Sequence, residues 1–197
     1  MRAILRLTTL MVIVLSAGVS ESKAQLIPAS TDQWSRGTTL QVLAGAANSE
    51  TGTAGTFGAG LGWEVNHRLE LEGVGTWVPR QNGVESFTAE FRSVLNVLPP
   101  KLTVPYLLAG VGMYHSEFDA GATLPTFYQQ RLTTRTHPTF SDTSFVFGGG
   151  ANLYVSRHFS FRPEVNLKLI TDGNSIYHVT TVNMSFAFHV EDHPRGD

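Results

Sequence analysis

Several stretches of the chain carry residue types that could bind or catalyse. Gly58-x-Gly60-x-Gly62 and Gly148-Gly149-Gly150 are dense enough in glycine to bring backbone amides against a phosphate. A dinucleotide site needs G-x-G-x-x-G at a strand–turn–helix junction, and neither stretch has that spacing. Glycine within a strand instead marks the close approach of another group. His115-x-Glu117 pairs two metal-ligand types, but no second His follows at i+4 and the remaining histidines are scattered. Zero Cys excludes disulfides, thiolate metal sites and a thiol nucleophile. His178 and Ser185 could serve as base and nucleophile. On one extended strand, however, they face opposite sides and lie about 23 Å apart. Arg195-Gly196-Asp197 spells an integrin tripeptide, which on a terminal tail reads as chance. No cofactor, metal or enzymatic activity is expected from these features.

The charges placed inside apolar patterns are more informative. Glu64, Glu70, Glu72, Glu90, Arg92, Arg162, Glu164 and Lys168 each alternate with hydrophobic neighbours. The elements that position them follow from the same alternation. Phe57, Ala59, Leu61, Trp63 and Val65 interleave with Gly58, Gly60, Gly62 and Glu64. Phe87, Ala89, Phe91, Ser93, Leu95 and Val97 oppose Thr88, Glu90, Arg92 and Asn96, and Phe159 to Leu169 repeats the pattern. Period two means strand. Eight such runs are expected, at about 37–47, 56–65, 69–78, 85–98, 103–114, 143–155, 159–170 and 178–190.

Composition agrees. The 197 residues are 42% hydrophobic and 15% charged, with 19 Gly and a net charge of −2. That describes one all-β domain, with no leucine-rich helical bundle and no basic run for nucleic acid. Residues 1–24 read as a secretory signal peptide. Arg2 and Arg6 precede the apolar run Leu7 to Val19, and Ser22-Lys23-Ala24 supplies a small-x-small cleavage pattern. The run is shorter than the roughly 18–20 residues of a spanning helix. Residues 25–36 read as a linker, 37–190 as the folded domain and 191–197 as a polar tail.

Connections alternate in length. Asn66-His67-Arg68, Pro99-Pro100-Lys101 and Ser156-Arg157-His158 are tight, while 48–55, 79–84, 115–142 and 171–177 are longer. An even strand count with short turns at one end and longer loops at the other describes a membrane β-barrel, an eight-stranded antiparallel up-and-down transmembrane barrel. Strands of ten to fourteen residues, tilted by about 40°, span roughly 25–35 Å. An eight-stranded lumen is narrow, so Phe-rich faces on every strand must point outward to lipid, with glycines and charges inside. Trp63 and Trp77 then fall near opposite membrane surfaces.

The turns also suggest registers. Pairing about the three-residue turns sets Gly62 beside Glu72 and Gly150 against Glu164, and pairing about residue 82 sets Glu72 against Arg92. The eight charged residues then form a lumenal salt-bridge network that closes the barrel to large solutes, because charges cut off from water must pair. The long loop 115–142, with Phe118, Phe127, Tyr128, Arg131, Arg135 and Phe140, is the candidate surface for an extracellular partner.

Val104-Pro105-Tyr106-Leu107-Leu108-Ala109-Gly110-Val111-Gly112-Met113-Tyr114 resembles the fifth strand of small OmpA-like outer-membrane barrels. Phe145 to Leu153, followed by His158 to Glu164, resembles their sixth and seventh strands. The resemblance implies a bacterial outer-membrane location among membrane lipid and lipopolysaccharide. It also implies a contact between the insertion machinery and Phe186 or Phe188 near the C-terminus, and no peptidoglycan-binding domain. Its implied role is structural or surface-interacting. A slow small-solute pore is an alternative. A soluble lipocalin-like carrier is another: Gly75-Thr76-Trp77 matches that family's Gly-x-Trp but lies on the wrong strand. A lipid A-modifying enzyme is the last. The strand that would bear the deacylase His-x-Ser-Asn reads Glu164 to Leu169, and His189 lies at the periplasmic end.

Overall fold

The computed structural model describes residues 37–50, 52–81, 83–98, 102–119, 122, 125–129, 139–156 and 158–191. The expected signal peptide and linker lie outside them, as does the tail beyond Glu191. Eight strands run β1 Gly37–Ser49, β2 Gly52–Glu64, β3 Leu69–Gln81, β4 Val84–Asn96, β5 Thr103–Phe118, β6 Thr139–Tyr154, β7 Phe159–Thr171 and β8 Ile176–Glu191. One helical turn, α1 Thr126–Gln129, lies between β5 and β6. Each strand pairs antiparallel with the next, and β1 pairs with β8 to close the barrel.

The side-chain period of two sets which face is inside. Leu61, Trp63, Phe91, Leu107, Val111, Phe147 and Met184 point outward and are exposed. Their strand neighbours Glu72, Arg92, Arg162, Glu164 and Lys168 are buried within the lumen. A water-soluble barrel would carry the opposite polarity. The registers are those the tight turns imply, pairing Gly62 with Glu72, Glu72 with Arg92, and Gly150 with Glu164. One irregularity separates Val78 from Gln81 in β3, where Pro79 cannot donate to the ladder. The β3–β4 turn uses Gly83 at φ 76°, a conformation that favours glycine.

Several boundaries differ from the sequence expectation: β2 already begins at Gly52, β3 continues to Gln81, and β5 and β6 lengthen at the loop end. β5 and β6 extend past the expected ends and pair as far as Glu117 with Thr139. Phe118 and Phe140, expected in the loop, therefore belong to strands. The reason is a reversal of polarity at the loop end. There His115, Glu117, Ser141 and His178 face outward, while Tyr114, Phe118, Tyr177 and Val179 face inward. Alternation persists, but its apolar half changes sides as the wall leaves the apolar belt. Arginine at Val111, midway along β5, is expected to lower stability in lipid by about 2–4 kcal/mol. Urea unfolding from liposomes, followed by fluorescence of the wall tryptophans, would measure the loss, and an unchanged midpoint would contradict a lipid-facing position.

Candidate functional site

The lumen is filled by charge. Arg92, on β4, donates to Glu72 at 2.6 and 3.2 Å and to Glu164 at 2.9 Å. Arg162, on β7, lies 2.6 Å from the other oxygen of Glu72 and 3.7 Å from Glu70. Glu164 also accepts from the Tyr106 hydroxyl at 2.9 Å and from Asn166 at 2.6 Å. The Arg162 guanidinium stands 5.0 Å from the centroid of the Tyr106 ring. Two guanidiniums and three carboxylates thus bridge β3, β4 and β7 across the barrel.

Closer to the loop end, Lys168 forms a separate pair with Glu90 at 2.6 Å. It also donates to the hydroxyls of Thr88 and Thr76, at 3.0 and 3.2 Å. Those two hydroxyls are hydrogen-bonded to each other. Glu64 lies nearer the turn end, opposite Glu70 across the β2–β3 ladder and 3.5 Å from His189. All eight sequence candidates therefore face the lumen, with Lys168 and Glu90 set apart from the other six.

The glycines explain how such long side chains fit. A Cβ at Gly62 would strike the Glu70 carboxyl, while one at Gly110 or Gly112 would strike the backbone carbonyl of Phe91 or Ala89 and crowd the Arg92 or Glu90 side chain. At Gly150 it would come within 2.7 Å of the Tyr106 hydroxyl. In the glycine-dense segments that resemble phosphate loops, Gly58, Gly60 and Gly148 admit the Gly75 carbonyl, Gln41 and Asn166, so these glycines allow the close approach of neighbouring strands.

The turn end holds an arrangement that sequence reading missed. Ser160 Oγ is 2.9 Å from His189 Nε2, while the other ring nitrogen is 3.3 Å from Thr39 Oγ1 and 3.5 Å from Glu64. Nucleophile, base and acid stand in the order of a hydrolytic triad. The pairing of β7 with β8 brings Ser160 to His189, across 29 residues of sequence, and closure through β1 brings Glu64 of β2 to the same histidine. Ser160 is fully buried, however. His189 lies nearer the turn-end rim, so it sits between the hydroxyl and solvent from that side. Among the described residues, no group of three or more His, Asp or Glu could hold a metal ion.

At the loop end, α1 folds into the mouth. Phe127 and Tyr128 are buried among Phe118, Tyr114, Tyr177 and Ile170. The Tyr128 ring stacks on Phe140 at 4.5 Å, and Phe127 stacks on Tyr177 at 5.8 Å. Glu50, from the opposite loop, accepts the Thr126 amide at 3.0 Å and fixes the start of the turn. Burial pushes the Tyr128 phenol well above its ordinary range, so it remains neutral. Phe118, Phe127 and Tyr128 thus form an inward cap, not the exposed recognition surface expected from the loop. Aromatic rings next to a narrow lumen bury more area inside it than in water. Arg131 and Arg135 lie outside the described residues.

Removing one member of the central cluster leaves its partners charged and unpaired. Arg92→Ala is expected to cost about 3–5 kcal/mol, and Arg92→Ala with Glu72→Gln to recover part of that loss. Urea midpoints of the refolded protein would give both values. Strict additivity would show that the two residues are not coupled.

No protein-family model matches the sequence, and neither does any curated protein. Solved structures do match. The N-terminal β-barrel domain of Pseudomonas aeruginosa OprF superposes with a TM-score of 0.53 at 13% identity, over 76% of this chain and 97% of that one. Neisserial surface protein A superposes with a TM-score of 0.53 at 13% identity, over 80% of this chain and 97% of that one. At that identity the likeness is one of fold: this chain has the architecture of the small eight-stranded barrels of the bacterial outer membrane.

Proposed function

We propose that the protein is an integral outer-membrane barrel, exported by its N-terminal segment. It is non-catalytic, closed to all but the smallest solutes, and acts structurally or through its loop-end surface. The observation that supports this reading is the filling of the lumen by side chains at two levels. The Arg92, Arg162, Glu72 and Glu164 cluster crosses it centrally, and the Phe127–Tyr128 cap fills part of its mouth. An aqueous channel of the porin type needs about 16 strands; eight leave an interior that side chains can fill. The outward belt supports a surrounding of membrane lipid and lipopolysaccharide. Phe186 and Phe188, exposed on β8, supply aromatics for the insertion machinery. An extracellular partner would meet the segment 115–142 through its outward residues, since Phe127 and Tyr128 are held inside.

The burial of Ser160 supports the absence of catalysis. An acyl carbonyl must reach the hydroxyl within about 3–3.5 Å to react, and Ser160 is fully buried beside His189.

Outer membranes run on gels with and without boiling are expected to give a heat-shifted band, and the refolded protein in planar bilayers no steady open-channel current. A soluble periplasmic protein without the shift would favour the carrier reading, and a steady current would favour the pore. A fluorophosphonate probe is expected to leave the folded protein unlabelled. Labelling abolished by Ser160→Ala would restore the enzyme reading.

A further inference from the structure

The barrel wall parts at the loop end between β2 and β3. The two strands last pair at Phe57 and Trp77, yet β2 has five further residues, Gly52 to Thr56, above that pair. On its other side this segment stays paired with β1, from Gly45 to Ser49. Its backbone groups on the β3 side therefore meet no strand. Five residues present about 16 Å of free edge. The other loop-end edges among the described residues are shorter: β6 exceeds β7 by four residues, Thr139 to Asp142, and β8 exceeds β1 by four, Ile176 to Val179.

An open strand edge recruits further strands, and proteins guard such edges with proline, charge or an irregularity. The β3 side of the opening carries all three: Pro79, Arg80 and the break in register between Val78 and Gln81. The β2 side, Gly52-Thr53-Ala54-Gly55-Thr56, carries none of them. Gly52 and Gly55 have open space where a Cβ would stand. An edge of this kind takes an extended peptide through main-chain hydrogen bonds.

Charge selects which peptide. Glu50 stands in the turn just before Gly52. Across the opening, Arg80 is held by Glu85 at 3.2 Å, by Glu117 at 3.3 Å and by Asp119. Four carboxylates against one guanidinium leave the edge flanked by surplus negative charge. A second copy of the chain would bring the same surplus and be repelled, whereas a strand with basic ends is attracted.

We propose that the free edge of β2 receives an extended basic peptide segment of another protein as an added strand. The proposal rests on the outer-membrane reading, which turns the loop end toward the cell exterior. The test uses the full chain refolded in a zwitterionic phosphocholine detergent, with amide hydrogen exchange followed by NMR. The probe is a six-residue peptide, valine alternating with threonine and a lysine at each end. It is expected to slow exchange of the amides in 52–56 that face the opening at least tenfold. It is also expected to bind at least fivefold more tightly than its counterpart with a glutamate at each end. N-methylation of its interior amides removes the donors but keeps both charges, and is expected to abolish the protection. Unchanged exchange in 52–56, equal binding of the glutamate-ended peptide, or equal protection by the N-methylated one would overturn the proposal alone. Loss of the heat shift in the unaltered protein would instead overturn the barrel reading beneath it.

Discussion

Charges that cannot reach bulk water govern this barrel. Arg92 and Arg162 are almost fully buried, and each lies against Glu72. An ion withdrawn from water costs several kcal/mol unless its partners replace the lost hydration. Tyr106 and Asn166 supply part of that replacement at Glu164. The same requirement selects the register. A one-residue slip between β3 and β4 would turn the charges toward the apolar belt. A two-residue slip in one direction would set Glu72 opposite Glu90, carboxylate against carboxylate, in place of Arg92. In the other direction Glu72 would meet Val94. Hydrophobic patterning fixes the face, and charge pairing then fixes the alignment along it.

Packing follows from the same pairs. An eight-stranded lumen has little room for arginine, glutamate and tyrosine on adjacent strands. The inward glycines at 62, 110, 112 and 150 supply it, each beneath a long side chain from the next strand. A larger residue at any of them would collide with a neighbouring backbone carbonyl or with the Glu70, Arg92, Glu90 or Tyr106 side chain. Interior glycine lowers strand propensity, so here an unfavourable local choice is offset by the charge pairs it permits.

Much of this was legible in sequence, because period-two alternation and three tight turns are local signals. Strand number, facing and the partnership of Glu72 with Arg92 follow from them. Two things were not legible. The upper parts of β5 and β6 were hidden by the polarity reversal: Phe118 and Phe140 among polar neighbours resemble a loop when apolar residues are assumed to point outward. The Ser160–His189–Glu64 arrangement was hidden because its members lie on three strands, with no common spacing to betray them. It can be seen only once closure brings β8 against β1, placing His189 beside Thr39. Lys168 pairs with Glu90 for a related reason, since β4 and β7 meet only across the lumen.

The polarity of the inward side chains explains why the mouth is covered on one side and not on the other. β5, β6 and β8 carry Tyr114, Phe118, Phe140 and Tyr177, against which α1 packs. β4 and β5 end level there, Val84 opposite Phe118, so strand length does not set the difference. The upper inward positions of β2, β3 and β4 are occupied by Thr56, Thr76, Ser86 and Thr88. An apolar cap cannot extend over those hydroxyls without desolvating them. The inward residues therefore divide the loop end into an aromatic half that holds α1 and a hydroxyl-bearing half, beneath which Lys168 joins Glu90 to the Thr76 and Thr88 hydroxyls.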